Sequence, residues 1–137
     1  MASIDSSGID EIVAEMKRQG ELVGEVADRM LLAGAEVVKS AWRDSIRRHG
    51  LVKTGDMLES VGSPDGLKTE GGIRRINIHA DGYDRHGKPN VVKAYVHNRG
   101  NSRNKATHFV DEAEKAAEAP VHAEYERIWN DFLNGRT

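Results

Sequence analysis

The sequence predicts an α+β domain, with a long N-terminal helix and a kinked C-terminal helix packed on a small, mostly antiparallel sheet of three to four strands. Two observations carry this prediction. A stripe of apolar residues with a period of 3.6 runs for over six turns in the first third of the chain. The period changes to two near residue 75 and returns to helical spacing after residue 109. Because so few strands cannot bury themselves alone, the long helix is expected to cover one face.

The 137 residues suit one domain. We assign residues 1–8 to a loose N-terminus and residues 9–137 to a single α+β domain. The sequence has no cysteine, which excludes disulfides, Cys-ligated zinc and thiol nucleophiles. No apolar stretch is long enough to span a membrane and no signal peptide is recognisable, so no membrane partner is expected.

Two helical segments are predicted before residue 50. The first, short and amphipathic, is expected to be interrupted at Gly20. The second begins at Glu21 and ends near His49, where Arg47 and Arg48 favour the negative end of the helix dipole and Gly50 supplies a left-handed cap. Trp42 falls on its apolar stripe and is predicted to be a core residue, with a subunit contact as the alternative.

The middle of the chain is predicted to hold a short helical turn followed by strands. Thr54 is the candidate N-cap of the turn over residues 55–60. Isoleucines at 73, 76 and 78, with polar residues between them, predict a strand, and residues 67–70 predict a weaker one. A turn-rich hairpin connection over residues 81–89 should lead to a return strand over residues 91–96.

Helical spacing resumes at Phe109. Pro120 either kinks this helix or begins a second one, because proline has no backbone N–H to donate. The helix is expected to end at Asn134 and Gly135. Trp129 lies on its apolar stripe and is predicted to be core, again with a subunit contact as the alternative.

The net charge of −2 hides a strong asymmetry along the chain. Residues 1–38 hold 3 basic and 8 acidic side chains, residues 39–105 hold 14 and 7, and residues 106–137 hold 3 and 7. A basic middle therefore lies between two acidic ends. Solvated helices would explain the ends, and charge complementarity between subunits or with a partner is the alternative.

A basic helix face and a basic loop are candidates for an interface or for nucleic-acid contact. Phosphate binding needs such stripes, but no recognition motif accompanies them and aromatic stacking residues are scarce. A small nucleic-acid-binding or regulatory domain is therefore the alternative function. The candidate residues are Arg43, Arg47, Arg48, Arg99, Arg103 and Lys105.

Catalytic patterns do not emerge. The six histidines show no metal-ligand spacing, and only His79 and His97 could meet, across the predicted hairpin. The serines lack a nucleophile elbow, and Gly71-Gly72 has no phosphate-loop pattern. We therefore expect no enzyme, no metal and no cofactor.

Three short motifs, taken in order, resemble the HK-ninety-seven gp-ten-like family of phage tail-completion or head-to-tail joining proteins. Residues 53–61, KTGDMLESV, resemble the family's Thr-Gly-x-Leu-x-x-Ser-Ile signature, and residues 94–102, AYVHNRGNS, its strand ending in Glu-aromatic-Gly-Thr-Ser. Residues 106–113, ATHFVDEA, are similar to its Ala-x-Pro-Phe-Leu-x-x-Ala, with His108 in place of proline and Asn98 in place of glutamate. The motif residues are Thr54, Gly55, Met57, Ser60, Gly100 and Phe109.

The resemblance implies a structural virion protein, made in the bacterial cytoplasm, that forms a ring at the tail end or neck. The ring that the resemblance implies is six-fold in the virion, and the free chain is then either a monomer or an oligomer. Implied partners are further copies, the tail tube or tail terminator protein and head-completion proteins, with DNA only as cargo through the channel. From the residues themselves, the six motif positions are predicted to be architectural.

Overall fold

A computed structural model describes residues 6–135, apart from the side chains of residues 6–13 and 16. The fold is α+β, as predicted, with long helices near both ends. In chain order the elements are α1 (Ser6–Arg48), α2 (Asp56–Ser60), β1 (Val61–Gly62), β2 (Leu67–Glu70), β3 (Ile73–Ile76), β4 (His79–Ala80), α3 (Asn90–Arg99) and α4 (Phe109–Leu133).

α1 is one uninterrupted helix of 43 residues, about 64 Å long at 1.5 Å per residue. The predicted break at Gly20 is wrong. One glycine inside a helix costs only about 1 kcal/mol, which neighbouring helix formers offset. The helix begins at Ser6, within the segment predicted as a loose terminus, and residues 1–5 lie outside the described part. It ends as predicted, with Gly50 at a φ of 67°.

α4 runs antiparallel to α1 along its length. At one end the Ser45 hydroxyl donates to the Phe109 carbonyl at 2.6 Å. Further along, Tyr125 lies so close to Gly34 that an added Cβ would come within 2.9 Å of its ring. Pro120 lies inside α4, so the predicted alternative of a second helix beginning at Pro120 is wrong.

The strands form two separate two-stranded sheets, so the predicted single sheet of three to four strands is wrong. β1 pairs with β4 through Val61↔Ala80, and β2 pairs with β3 from Leu67↔Ile76 onward, both antiparallel. Gly71 and Gly72 form the β2–β3 turn with φ values of 56° and 78°, since two-residue hairpin turns favour positive φ. The β2–β3 hairpin is thus an insertion between the paired strands β1 and β4.

The predicted return strand over residues 91–96 is also wrong, because this segment is the helix α3. The buried side of α3 consists of Asn90, Ala94 and Asn98, which recur every fourth residue. The β-branched residues Val91 and Val92, which favoured a strand, are exposed. Helical periodicity here resides in small and polar residues, so a search for apolar periodicity misses it.

The core lies where the C-terminal end of α1 meets α2, α3 and the start of α4, a region we call the junction. Trp42 and Phe109 pack edge to face with ring centroids 6.1 Å apart. Trp42 is therefore a core residue as predicted, whereas Trp129 is 37% exposed and the core prediction for it is wrong. The buried junction residues are Trp42, Ile46, Met57, Val61, Ala80, Ala94, Phe109 and Ala113.

Candidate interaction surface

An open cleft of about 710 Å³ lies beside the junction. Its walls are the segment after α1, the loop before α3, and one side of α3. Gly50, which follows α1, and Asn104, in the loop before α4, both line it. The two basic segments predicted from the sequence therefore lie at the same end of the molecule.

The first motif, residues 53–61, fixes the conformation of the first wall, which is the segment after α1. Gly55 occupies the N-cap of α2 with a φ of 84°, a conformation suited to glycine. Thr54 is therefore not the N-cap that the sequence predicted. It precedes the cap, and its hydroxyl accepts a hydrogen bond from the Asp56 N–H at 3.3 Å. Met57 is buried in the core, and the Ser60 hydroxyl donates to the Met57 carbonyl, so the motif fixes backbone.

Asp56 and Arg85 tie the first wall to the loop before α3. The guanidinium donates to both carboxylate oxygens, at 2.8 and 2.9 Å, and the Arg85 N–H adds a third bond. Such bidentate pairs are directional as well as strong. Bonds from the Arg85 side chain and then its N–H hold the pKa of Asp56 far below its usual range.

Asp84 organises the loop itself. Its nearly buried carboxylate accepts the backbone N–H groups of His86 and Lys88 and the Lys93 ammonium at 3.0 Å. The Lys88 N–H, followed by Lys93, lowers the pKa of Asp84 against the opposing effect of burial. Asp84 is therefore fully engaged, and it contributes little free negative charge to the cleft.

The cleft combines an apolar floor with a cationic rim. Leu51, Met57 and Val96 supply apolar lining, and Val92 on α3 is 54% exposed at its edge. Lys53 and Lys88 also line it, and neither forms a salt bridge with a carboxylate of the described residues. Burial, followed by the charge of Lys93, lowers the pKa of His97 in the same wall. Such a surface suits an acidic, amphipathic partner.

The second and third motifs meet where α3 ends and α4 begins. The buried Asn98 side chain accepts the N–H groups of Val110 at 2.9 Å and Asp111 at 3.4 Å, so α3 caps the first turn of α4. Gly100 ends α3 with a φ of 77°, and a Cβ there would lie 2.7 Å from the Ala106 nitrogen. It follows a helix rather than the predicted strand, but it permits the expected sharp turn.

His108 lies where the resembled motif has proline, and its backbone is in the left-handed region. Its φ is 57°, whereas the proline of the family motif would hold φ near −65°. Phe109, the next residue, is fully buried against Trp42. Phe109 therefore anchors the start of α4 in the core, and the backbone entering the helix has a φ that proline cannot adopt.

The predicted basic residues have unequal roles. Arg43 is half-buried and donates to the Val61 carbonyl at 3.0 Å, so it joins α1 to β1. Arg47 is exposed and pairs with Asp44 in the same helix, and Arg99 lies 5.6 Å from the Tyr95 ring centroid. The exposed residues of this set are Arg47, Arg48, Arg99, Arg103 and Lys105.

His79 and His97 are not partners across a hairpin, because His97 belongs to α3 and His79 to β4. Among the side chains that the structure describes within residues 6–135, no three of His, Asp or Glu are gathered where a metal ion could bind. Over the same range, no helix combines the length and apolar character needed to cross a membrane.

Sequence reasoning missed the cleft residues Lys53, Asp84, Lys88 and Val92. Asp84 at the start of a turn is the feature that could have indicated this loop, because aspartate side chains accept hydrogen bonds from N–H groups two residues later. The predicted hairpin placed Asp84 and Lys88 in its connecting turn and Val92 on its return strand, so it did not bring them together with Lys53.

Comparisons of the chain with family models, curated proteins and solved structures found no match. The resemblance therefore rests on the three motifs and their arrangement. Met57, Ala94 and Phe109, one from each motif, belong to the same core cluster.

Proposed function

We propose that this chain is a structural protein of a phage or prophage virion that forms a ring at the tail end or neck and joins tail to head. The observation that supports this most is the convergence of the three motifs at the junction. Met57 and Phe109, which are 52 residues apart in the sequence, share one core there with Ala94, as motifs do when they specify a common fold.

The cleft also favours a binding role between proteins. Its apolar floor and lysine rim suit a helix or strand that carries both apolar and acidic residues, and the chain has acidic segments at both ends. A ring requires this kind of heterologous contact, in which one surface of a copy meets a different surface of the next.

Deletion of the gene from the phage or prophage genome that carries it tests the proposal. We expect particles from the deleted strain to contain filled heads and separate tails in electron micrographs, with joined virions restored by the gene in trans. A complementing copy with Lys115→Glu, an exposed substitution on α4, serves as a control and should restore joined virions at the same expression level as the unchanged gene. Joined, infectious virions in the deleted strain would overturn the proposal, as would a gene without portal, capsid and tail-tube neighbours.

A further inference from the structure

The N-terminal segment of α1 extends beyond the rest of the fold. Because Tyr125 lies against Gly34 and the helices run antiparallel, Leu133, eight residues later, falls at about the level of Val26. Residues 6–25, which we call the arm, therefore project past the end of α4. Of its described side chains, only Leu22 is partly buried and the others are exposed.

The arm is acidic and amphipathic. It carries five carboxylates and two cations, for a net charge of −3. The apolar stripe that α4 covers further along α1 continues through the arm in the sequence, beyond the end of α4. Val23 is 42% exposed, and Leu133 at the end of α4 is 62% exposed. The apolar positions of the arm are Ile9, Ile12, Val13, Met16, Leu22 and Val23.

The cleft complements the arm in charge and in polarity. Lys53 and Lys88 on its rim are available to carboxylates, and Leu51, Met57 and Val96 can receive apolar side chains. A volume of about 710 Å³ accommodates the side chains of one or two helical turns, which matches recognition of a helix by anchors spaced three or four residues apart.

An arm cannot reach the cleft of its own chain. The two lie at opposite ends of α1, and residue 16 is roughly 50 Å from Gly50 along a continuous helix. From this geometry and the charge complementarity we infer that the arm docks into the cleft of a second copy. This inference rests on the proposed ring function and specifies its contact, which is head-to-tail and repeats from copy to copy.

Mixing two variants, each defective in one surface, tests the contact. Glu21→Lys with Val23→Asp disables the arm, and Lys53→Glu with Lys88→Glu disables the cleft. We expect concentration-dependent oligomers of the unchanged chain in sedimentation velocity and native mass spectrometry. Each variant alone should associate at least about tenfold more weakly, whereas an equimolar mixture should give a dimer and nothing larger, because only one functional arm and one functional cleft remain.

Crosslinking covers the case of weak association. Since the chain has no cysteine, Val23→Cys and Val92→Cys each introduce a single thiol. A short thiol-reactive crosslinker should join these two variants several-fold more efficiently than it joins Val23→Cys to Lys115→Cys, the exposed control on α4. Circular dichroism of each variant confirms that it is folded before it is compared.

Oligomers that persist in both surface variants would overturn the inference, as would a mixture that forms no dimer under conditions in which the unchanged chain associates. Equal crosslinking of the test and control pairs would do so as well, even if the unchanged chain is monomeric. These results separate the two proposals. If the deletion leaves heads and tails unjoined but no arm-to-cleft contact is found, the proposed function stands and the contact does not. If the contact is found but the deleted strain still makes joined virions, the contact stands and the proposed function does not.

Discussion

The two parts of α1 differ in what surrounds them. Residues 26–48 lie along α4 and reach the junction, where Trp42 and Ile46 are buried. Residues 6–25 carry a similar apolar spacing but extend beyond α4. A continuous helix can therefore form a stable core at one end and extend past the end of its partner helix at the other. We expect changes in the junction to alter folding and changes in the arm to alter association.

Truncation of Phe109 should have the largest effect. The side chain is fully buried and packs edge-on against Trp42, so Phe109→Ala leaves a cavity at the centre of the junction. We expect the free energy of unfolding to fall by about 3–5 kcal/mol. Urea unfolding followed by tryptophan fluorescence and circular dichroism measures it.

Val23→Ala in the arm is the matched change for the other part of α1. Val23 is exposed, and its truncation should alter the free energy of unfolding by less than about 0.5 kcal/mol. Similar losses for the two variants would contradict the comparison, because they would place the arm in the same cooperative core as the junction.

The sequence predicts the elements whose buried faces are apolar and misses the element whose buried face is not. The end of α1 and both ends of α4 are predicted within a residue or two, because these helices have regular apolar patterns. The start of α1 and the pairing of β2 with β3 are not predicted, since the sequence suggests a break at Gly20 and a hairpin with residues 91–96. α3 was missed because Asn90, Ala94 and Asn98 bury its face while its valines are exposed. The candidate surface was missed with it. Lys53, Lys88 and Val92 come together only when residues 81–99 form a loop and a helix.

Gly100→Ala should have the next largest effect. The residue has φ 77° and ψ 171°, a region open essentially to glycine, and a Cβ would lie 2.7 Å from the Ala106 nitrogen and 2.9 Å from the Asn104 carbonyl oxygen. These contacts are backbone, so they cannot be relieved by a rotamer change. We expect a loss of roughly 2–4 kcal/mol in the same unfolding assay.

Gly87→Ala distinguishes the cost of a positive φ from the cost of a steric clash with neighbouring backbone. Gly87 also has a positive φ, 81°, but an added Cβ there meets no atom within 4 Å. Its cost should be about 1 kcal/mol, from the backbone alone. If Gly87→Ala proved as harmful as Gly100→Ala, the close approach of the two segments around Gly100 would not be the cause.

Asn98→Ala should remove the cap that α3 provides for α4. Two N–H groups in the first turn of α4 would lose their acceptor, and we expect a cost of about 1–2 kcal/mol. Asn98→Asp keeps an acceptor of the same size near the positive end of the helix dipole and should recover most of the loss. An aspartate variant as unstable as the alanine variant would show that capping is not the role of Asn98.

The smallest effect should be the pH dependence that Asp56 gives to the junction. Its pKa lies well below the ordinary value of 3.8, because Arg85 binds the ionised carboxylate. The unfolded chain therefore binds this proton more readily than the folded chain. The stability it contributes is complete above the unfolded pKa and is lost as the pH falls through the folded pKa. Asp56→Asn should accordingly be less stable at neutral pH and lose stability less steeply below about pH 4.

Asp81→Asn serves as the control for this titration. Its carboxylate forms no salt bridge with the described residues, whereas its backbone carbonyl still accepts the Asn90 amide. The free energy of unfolding of both variants is measured by urea unfolding between neutral pH and pH 2. We expect it to fall less steeply with decreasing pH in Asp56→Asn than in Asp81→Asn. An unchanged slope in Asp56→Asn would mean that the Asp56–Arg85 pair remains intact on unfolding or is absent from the folded chain. Either result would remove the link we draw between α2 and the loop that forms the cleft.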